Sequence, residues 1–190
     1  MTTIVTILTD GYADWETALL NAAARQYLKV ETLFATPGGT QVISSGGLRV
    51  TPDMAVEDID PAAIDAIVVN GGTIWSTPDA PDITSTLRAV SEAGKVVAGI
   101  CDGTLTLARA GLLDTVKHTS NHPGNLPPTG YKGEALYQDQ PQAVVDGKIV
   151  TAPGSAPATF MGGVLETLGL RTPDVAHYIG LYGAEHKTSA

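Results

Sequence analysis

The only cysteine of the chain, Cys101, lies in Gly99-Ile100-Cys101-Asp102-Gly103, after the apolar run Val96-Val97-Ala98 and before Thr104-Leu105-Thr106-Leu107. A β-branched segment that passes through Gly-x-Cys-x-Gly into helix-like spacing has the layout of a nucleophile elbow, with sulfur where the serine version has oxygen. Such a turn lifts the side chain out of the packed layers, and small neighbours let backbones pass closely. The first free N–H groups of the following helix would face the sulfur and favour thiolate over thiol. The chemistry in view is attack by sulfur on an electrophilic carbon. A free cysteine is also commonly a small buried core residue, so this reading needs partner groups.

Glu16 supplies one. It falls in the first turns of the helix expected after the first strand, within reach of the elbow. A carboxyl there can donate a hydrogen bond to a thiolate when protonated, or carry a proton during turnover. Acids are also favoured at helix starts for electrostatic reasons alone, and Asp14 shares that position. Gly71-Gly72, after a buried strand, can present N–H groups to a developing oxyanion together with the N–H of Asp102. The Asp102 carboxylate acts in the opposite sense and disfavours a thiolate beside it. His118 and His122 lie in the loop after the elbow helix, and either is a candidate base. Pro123 restricts the backbone of His122, while His177 and His186 read as surface or packing residues. There is no metal-ligand spacing and no phosphate-loop or dinucleotide pattern, so neither a metal nor an organic cofactor is expected. Ser155 reads as a helix cap rather than a nucleophile.

These groups meet only if the elements between them place them together. Ile4–Leu8, Lys29–Thr36, Asp65–Asn70 and Val96–Ile100 are apolar runs suited to strands buried on both faces. Helical spacing covers Ala13–Tyr27, with Trp15, Leu19, Ala22, Ala23 and Tyr27 expected on the packed side, and recurs over Ile83–Ala93 and Gly103–Ala110. Residues 41–52 read as a small hairpin around Gly46-Gly47. Residues 117–133 form a loop region rich in Pro, Gly and Asn, and Asp146-Gly147 joins a second hairpin. Ser155 is expected to cap a helix running to about Leu168, and Asp174 to cap a last one. Strands alternating with helices imply an α/β fold with a mostly parallel sheet covered on both sides, in one domain over residues 1–190. In such a sheet the βα loops gather at the carboxyl ends of the strands, where Cys101, Glu16 and Gly71-Gly72 all fall.

The 190 residues carry 43% hydrophobic and 16% charged side chains, enough for a substantial core. Twenty Asp and Glu against eleven Lys and Arg give a net charge of -9, which opposes phosphate backbones and anionic lipid surfaces. Neither nucleic acid nor membrane is an expected partner. A single cysteine precludes an internal disulfide, and the first residues lack a basic, cleavable leader, so a cytoplasmic location is expected.

Four blocks together resemble the DJ-1/PfpI superfamily: Gly11-Tyr12-Ala13-Asp14-Trp15-Glu16-Thr17, Val69-Asn70-Gly71-Gly72, Ala98-Gly99-Ile100-Cys101-Asp102-Gly103, and Thr119-Ser120-Asn121-His122-Pro123. Their order and spacing match over nearly the whole chain. The resemblance implies a flavodoxin-like three-layer sandwich, usually a homodimer, with Cys101 as nucleophile hydrogen-bonded to a protonated Glu16. It places the oxyanion at the N–H groups of Gly72 and Asp102, and His122 or His118 at the variable histidine. Asn70 stands where many relatives have proline, so its amide is expected to enter the pocket as a substrate-binding group. Asp102 replaces a residue that is often small or apolar, and the His-Pro block is offset by one residue from DJ-1 itself. Activities in the superfamily include glyoxalase or deglycase action on 2-oxoaldehydes, isonitrile hydration, peptidase activity and cysteine-based redox or stress sensing. The expected function is a cofactor-free cysteine enzyme for a small electrophile, foremost a 2-oxoaldehyde. Isonitrile hydration and non-enzymatic sensing are the alternatives.

Overall fold

The computed structural model describes residues 1–184, and His186 lies outside them. A seven-stranded sheet is built in the order β5 (Met54–Ala55), β2 (Glu31–Thr36), β1 (Thr3–Ile7), β6 (Ala66–Val69), β7 (Val96–Ile100), β9 (Ile149–Ala152) and β8 (Val144–Asp146). All neighbouring pairs are parallel except β8 with β9. This is the mostly parallel flavodoxin-like arrangement expected. The hairpin β3 (Val42–Ile43) and β4 (Arg49–Val50) stands apart as a separate antiparallel pair. The edge strand β5 has no signal in the sequence, since two residues are too few to carry a period.

Every residue of β1, β6 and β7 is buried. Alternate residues serve two different cores, as the two-residue period of a strand requires. Val5, Ile7, Ile67, Val69 and Val97 pack with α2 (Thr84–Glu92) and α3 (Thr104–Arg109). Ile4, Ala66, Val68, Val96, Ala98 and Ile100 pack with α1 (Asp14–Tyr27), α4 (Pro157–Thr167) and α5 (Pro173–Gly183). Two hydrophobic layers of this kind are why the strands read as continuous apolar runs.

Three local expectations are corrected. The buried face of α1 is Glu16, Thr17, Leu20, Ala23 and Ala24, whereas Trp15 is 58% exposed and Tyr27 49%. The large aromatics suggested a stripe one position out of phase with the true one, which Ala23 and Ala24 line because small side chains let α1 approach α4 and the sheet. Ser155 does not cap α4: Ala156 holds the cap position and Pro157 opens the helix. In α5 the cap is Thr172, whose Oγ1 accepts from the N–H of Val175 at 3.3 Å. Pro173 then occupies the first turn, where its missing N–H costs nothing, and Asp174 follows it.

Candidate active site at Cys101 and Glu16

β7 ends at Ile100, and the chain turns through a short 3-10 segment, Cys101–Gly103, into α3. Cys101 has φ +56°, a left-handed conformation that non-glycine residues occupy at a cost of about 1 kcal/mol or more. The surroundings hold it there. Its carbonyl accepts from Thr104 Oγ1 at 2.6 Å, Thr104 Oγ1 is 2.7 Å from Ser120 Oγ, and Ser120 Oγ accepts from Asn125 Nδ2 at 3.0 Å. Because the one proton of Thr104 goes to the Cys101 carbonyl, Ser120 donates to Thr104. The chain of donors therefore runs in one direction from Asn125 to the elbow.

Glu16 projects from the buried face of α1 and is 1% exposed. Its Oε2 accepts from the N–H of Gly71 at 2.8 Å, so that N–H is committed to the carboxyl. Two glycines wall the pair. A Cβ at Gly71 would collide with Glu16 Oε2 and stand 2.6 Å from Cys101 Cβ; one at Gly154 would stand 2.9 Å from Glu16 Oε1 and 3.1 Å from Cys101 Sγ. Gly154, in the loop between β9 and α4, carried no signal in the sequence that tied it to Cys101. The N–H of Gly72 has no intramolecular partner among the described residues.

An amide of the loop after α3 donates to the sulfur. Asn121 Nδ2 donates to Sγ at 3.2 Å and to Asp102 Oδ1 at 3.0 Å, while Asn121 Oδ1 accepts from the N–H of Gly154 at 3.0 Å. Asn125 Nδ2 reaches the same Asp102 oxygen at 3.3 Å. Asn121 is thus the loop residue that touches the sulfur, one position before His122. Only its place in the Asn-His-Pro block pointed to this region.

The histidines sit elsewhere. His118 is fully buried, its Nδ1 donates to the carbonyl of Val116 at 2.8 Å, and its ring stands edge-on to those of Tyr131 and Tyr137. Burial holds its pKa below the ordinary histidine value, so the ring is a neutral packing element. His122 is exposed, and its Nδ1 accepts from the N–H of Gly124 at 3.1 Å. Among the described residues no hydrogen bond joins either histidine to Cys101. Asn70 is buried, with Nδ2 donating to the carbonyls of Ala13 at 3.0 Å and Gly71 at 3.2 Å. Its side chain ties the loop after β1 to the loop after β6. No group of metal-ligating side chains occurs among the described residues.

Burial pushes the Glu16 carboxyl up to about 7; hydrogen bonds from Cys101 and Gly71 pull it down, and the Asp102 charge adds to the rise. Burial, followed by the Glu16 charge, pushes the Cys101 thiol up to about 12, against the donors from Asn121 and Asp102. Desolvation here outweighs the N–H groups that the sequence suggested would favour thiolate. The two groups titrate as a pair, and the first proton leaves near pH 7. When Glu16 keeps the remaining proton, its charge no longer opposes a thiolate, and its O–H can join the Asn121 amide as a donor to sulfur.

Comparison with known proteins agrees with this architecture. The sequence profile of the DJ-1/PfpI family matches residues 2–167. The chain is 30% identical over 187 residues to the uncharacterized protease YdeA of Bacillus subtilis, covering 95% of this chain and 91% of that protein. It is 36% identical over 135 residues to the uncharacterized protease YoaZ of the same organism, a match that covers 70% of this chain and spans 64% of YoaZ. The glutathione-independent glyoxalase DJR-1.2 of Caenorhabditis elegans is 28% identical over 144 residues, covering 69% of this chain and 75% of that protein. Among solved structures, the DJ-1 superfamily protein Atu0886 from Agrobacterium tumefaciens superposes with a TM-score of 0.95 at 44% identity, over 98% of this chain and 100% of that one. The elbow cysteine, its buried carboxyl partner and these matches agree: the chain belongs to the DJ-1/PfpI family.

Proposed function

We propose that the protein is a cofactor-free enzyme in which Cys101 attacks the aldehyde carbon of a small 2-oxoaldehyde, converting it to the 2-hydroxy acid. The observation that carries the reading is the Cys101–Glu16 pair, a strained nucleophile beside a buried carboxyl pushed up to about 7, where a group both takes and gives protons efficiently near neutral pH. The thiolate adds to the aldehyde, and the resulting oxyanion is offered the unpartnered N–H of Gly72. The N–H of Asp102, next in the chain to the nucleophile, is the second donor in this reading.

Glu16, protonated while Cys101 is the thiolate, first gives its proton to that oxyanion; as carboxylate it then removes the hydrogen on the former aldehyde carbon, and the electron pair moves to the adjacent carbonyl to give an enediolate. Return of the proton to the neighbouring carbon leaves a thioester on Cys101. Water hydrolyses the thioester, restoring the thiol and releasing the 2-hydroxy acid, so that the net change is addition of one water. No oxidant is needed, because one carbon is oxidised as its neighbour is reduced. The name of the glyoxalase DJR-1.2 supports this substrate class, whereas two relatives carry the word protease.

A proton NMR time course with methylglyoxal and a simple isonitrile in the same tube tests the reading. Growth of lactate with wild type and none with Cys101→Ala is the expected result. Growth of an N-formamide instead would replace it with isonitrile hydration. Silence toward both would favour a sensing role for the thiol.

A further inference from the structure

We infer that Asp102 is a charge filter at the mouth of the site, and that the substrate carries a positive charge or an N–H or O–H donor a few ångströms from the carbon under attack. The inference rests on Cys101 being the nucleophile, as proposed above. One amide ties the two groups together: Asn121 Nδ2 donates to Cys101 Sγ at 3.2 Å and to Asp102 Oδ1 at 3.0 Å. The carboxylate is therefore held within the sum of those two distances from the sulfur. Asn125 Nδ2 donates to the same oxygen at 3.3 Å. Both amides go to Oδ1, and no donor among the described residues reaches Oδ2.

Cys101 and Asp102 are both partly exposed, and the shared Asn121 amide keeps the carboxylate close to the sulfur. Neither ion pair among the described residues, Lys95 with Asp65 and Arg171 with Glu166, involves Asp102. A fixed negative charge with one oxygen free to accept, next to a nucleophile, repels anions and gives a cation or a donor something to bind. The overall charge of -9 acts in the same sense but with no preference for this site.

Matched thiol reagents separate the two effects: the cationic ethyltrimethylammonium and the anionic ethylsulfonate methanethiosulfonates. Attack by the thiolate breaks the reagent's S–S bond, forms a mixed disulfide on Cys101 and releases methanesulfinate. The ratio of the two rates, followed by intact mass and normalised to free 2-mercaptoethanol, cancels any change in thiolate fraction. Asp102→Asn keeps an oxygen to accept from Asn121 and Asn125 while removing the charge. A unit charge about 6 Å away changes a rate roughly threefold even at the dielectric of water, hence about tenfold between cation and anion.

The cation-to-anion ratio is expected to fall about tenfold in Asp102→Asn and to stay unchanged in Glu92→Gln, whose residue ends α2 just before the start of β7, while Cys101 follows the end of that strand. Asp102→Ser should behave as Asp102→Asn does. An unchanged ratio in Asp102→Asn, an equal fall in Glu92→Gln, or no labelling of Cys101 by either reagent overturns the inference. A tenfold fall in a protein that leaves methylglyoxal untouched would keep the filter and remove the 2-oxoaldehyde reading.

Discussion

Replacing Glu16 by glutamine removes one ionisation from the core, and its effect on stability has a calculable pH dependence. The carboxyl rises from 4.5 to about 7 on folding, chiefly through burial. Between those values the native state binds more protons than the unfolded chain, so stability falls as pH rises. The favourable contribution is complete below 4.5 and gone above about 7. Over the full window this is about 3 kcal/mol, and from pH 5.5 to 8.5 about 2 kcal/mol. Glutamine imitates the protonated acid at every pH. Its Oε1 can accept from the Gly71 N–H, as Oε2 of Glu16 does at 2.8 Å, and its amide can donate to the sulfur. Urea unfolding followed by the fluorescence of the fully buried Trp75, at pH 5.5 and 8.5, measures the effect. The stability of Glu16→Gln relative to wild type should improve by about 2 kcal/mol between the two conditions. A difference that stays constant with pH would refute the assignment of the raised carboxyl to Glu16.

The remaining expectations concern the elbow and its walls. Because Cys101 sits at φ +56°, Cys101→Gly should unfold at higher urea than Cys101→Ala, by about 1 kcal/mol; equal midpoints would mean the turn is unstrained. Gly154→Ala would place a methyl 2.9 Å from Glu16 Oε1 and 3.1 Å from Cys101 Sγ, and should cost about 1–3 kcal/mol and slow alkylation of Cys101. Wild-type alkylation by iodoacetamide should rise with pH to a plateau with its midpoint near 7, since its rate follows the singly ionised Cys101–Glu16 pair. Asn121→Ala, which loses a donor to sulfur at 3.2 Å, should lower that plateau several-fold without moving the midpoint far. An unaltered plateau would show that the amide does not stabilise the reacting thiolate.

The parallel sheet was legible in the amino-acid order, because strands buried on both faces must be largely apolar along their whole length, as β1, β6 and β7 are. It also marked the turn that carries Cys101, since glycines on both sides of a cysteine between a strand and a helix are a local signal. Pairing Glu16 with that cysteine followed from the general rule that the βα loops of a parallel sheet share one edge.

What the sequence alone left open depends on contacts between distant segments. The phase of α1 was set by the small residues that face α4 and the sheet, which bring Glu16 inside and leave Trp15 out. His118 and His122 looked equivalent as loop residues. The path of that loop buries one ring between two tyrosines, exposes the other, and turns Asn121 onto the sulfur. Gly154 had no local signature at all, because its role is the space it leaves beside Glu16 and Cys101. The ionisation of the pair was decided last, by desolvation, which exists only after the chain has closed over the two groups.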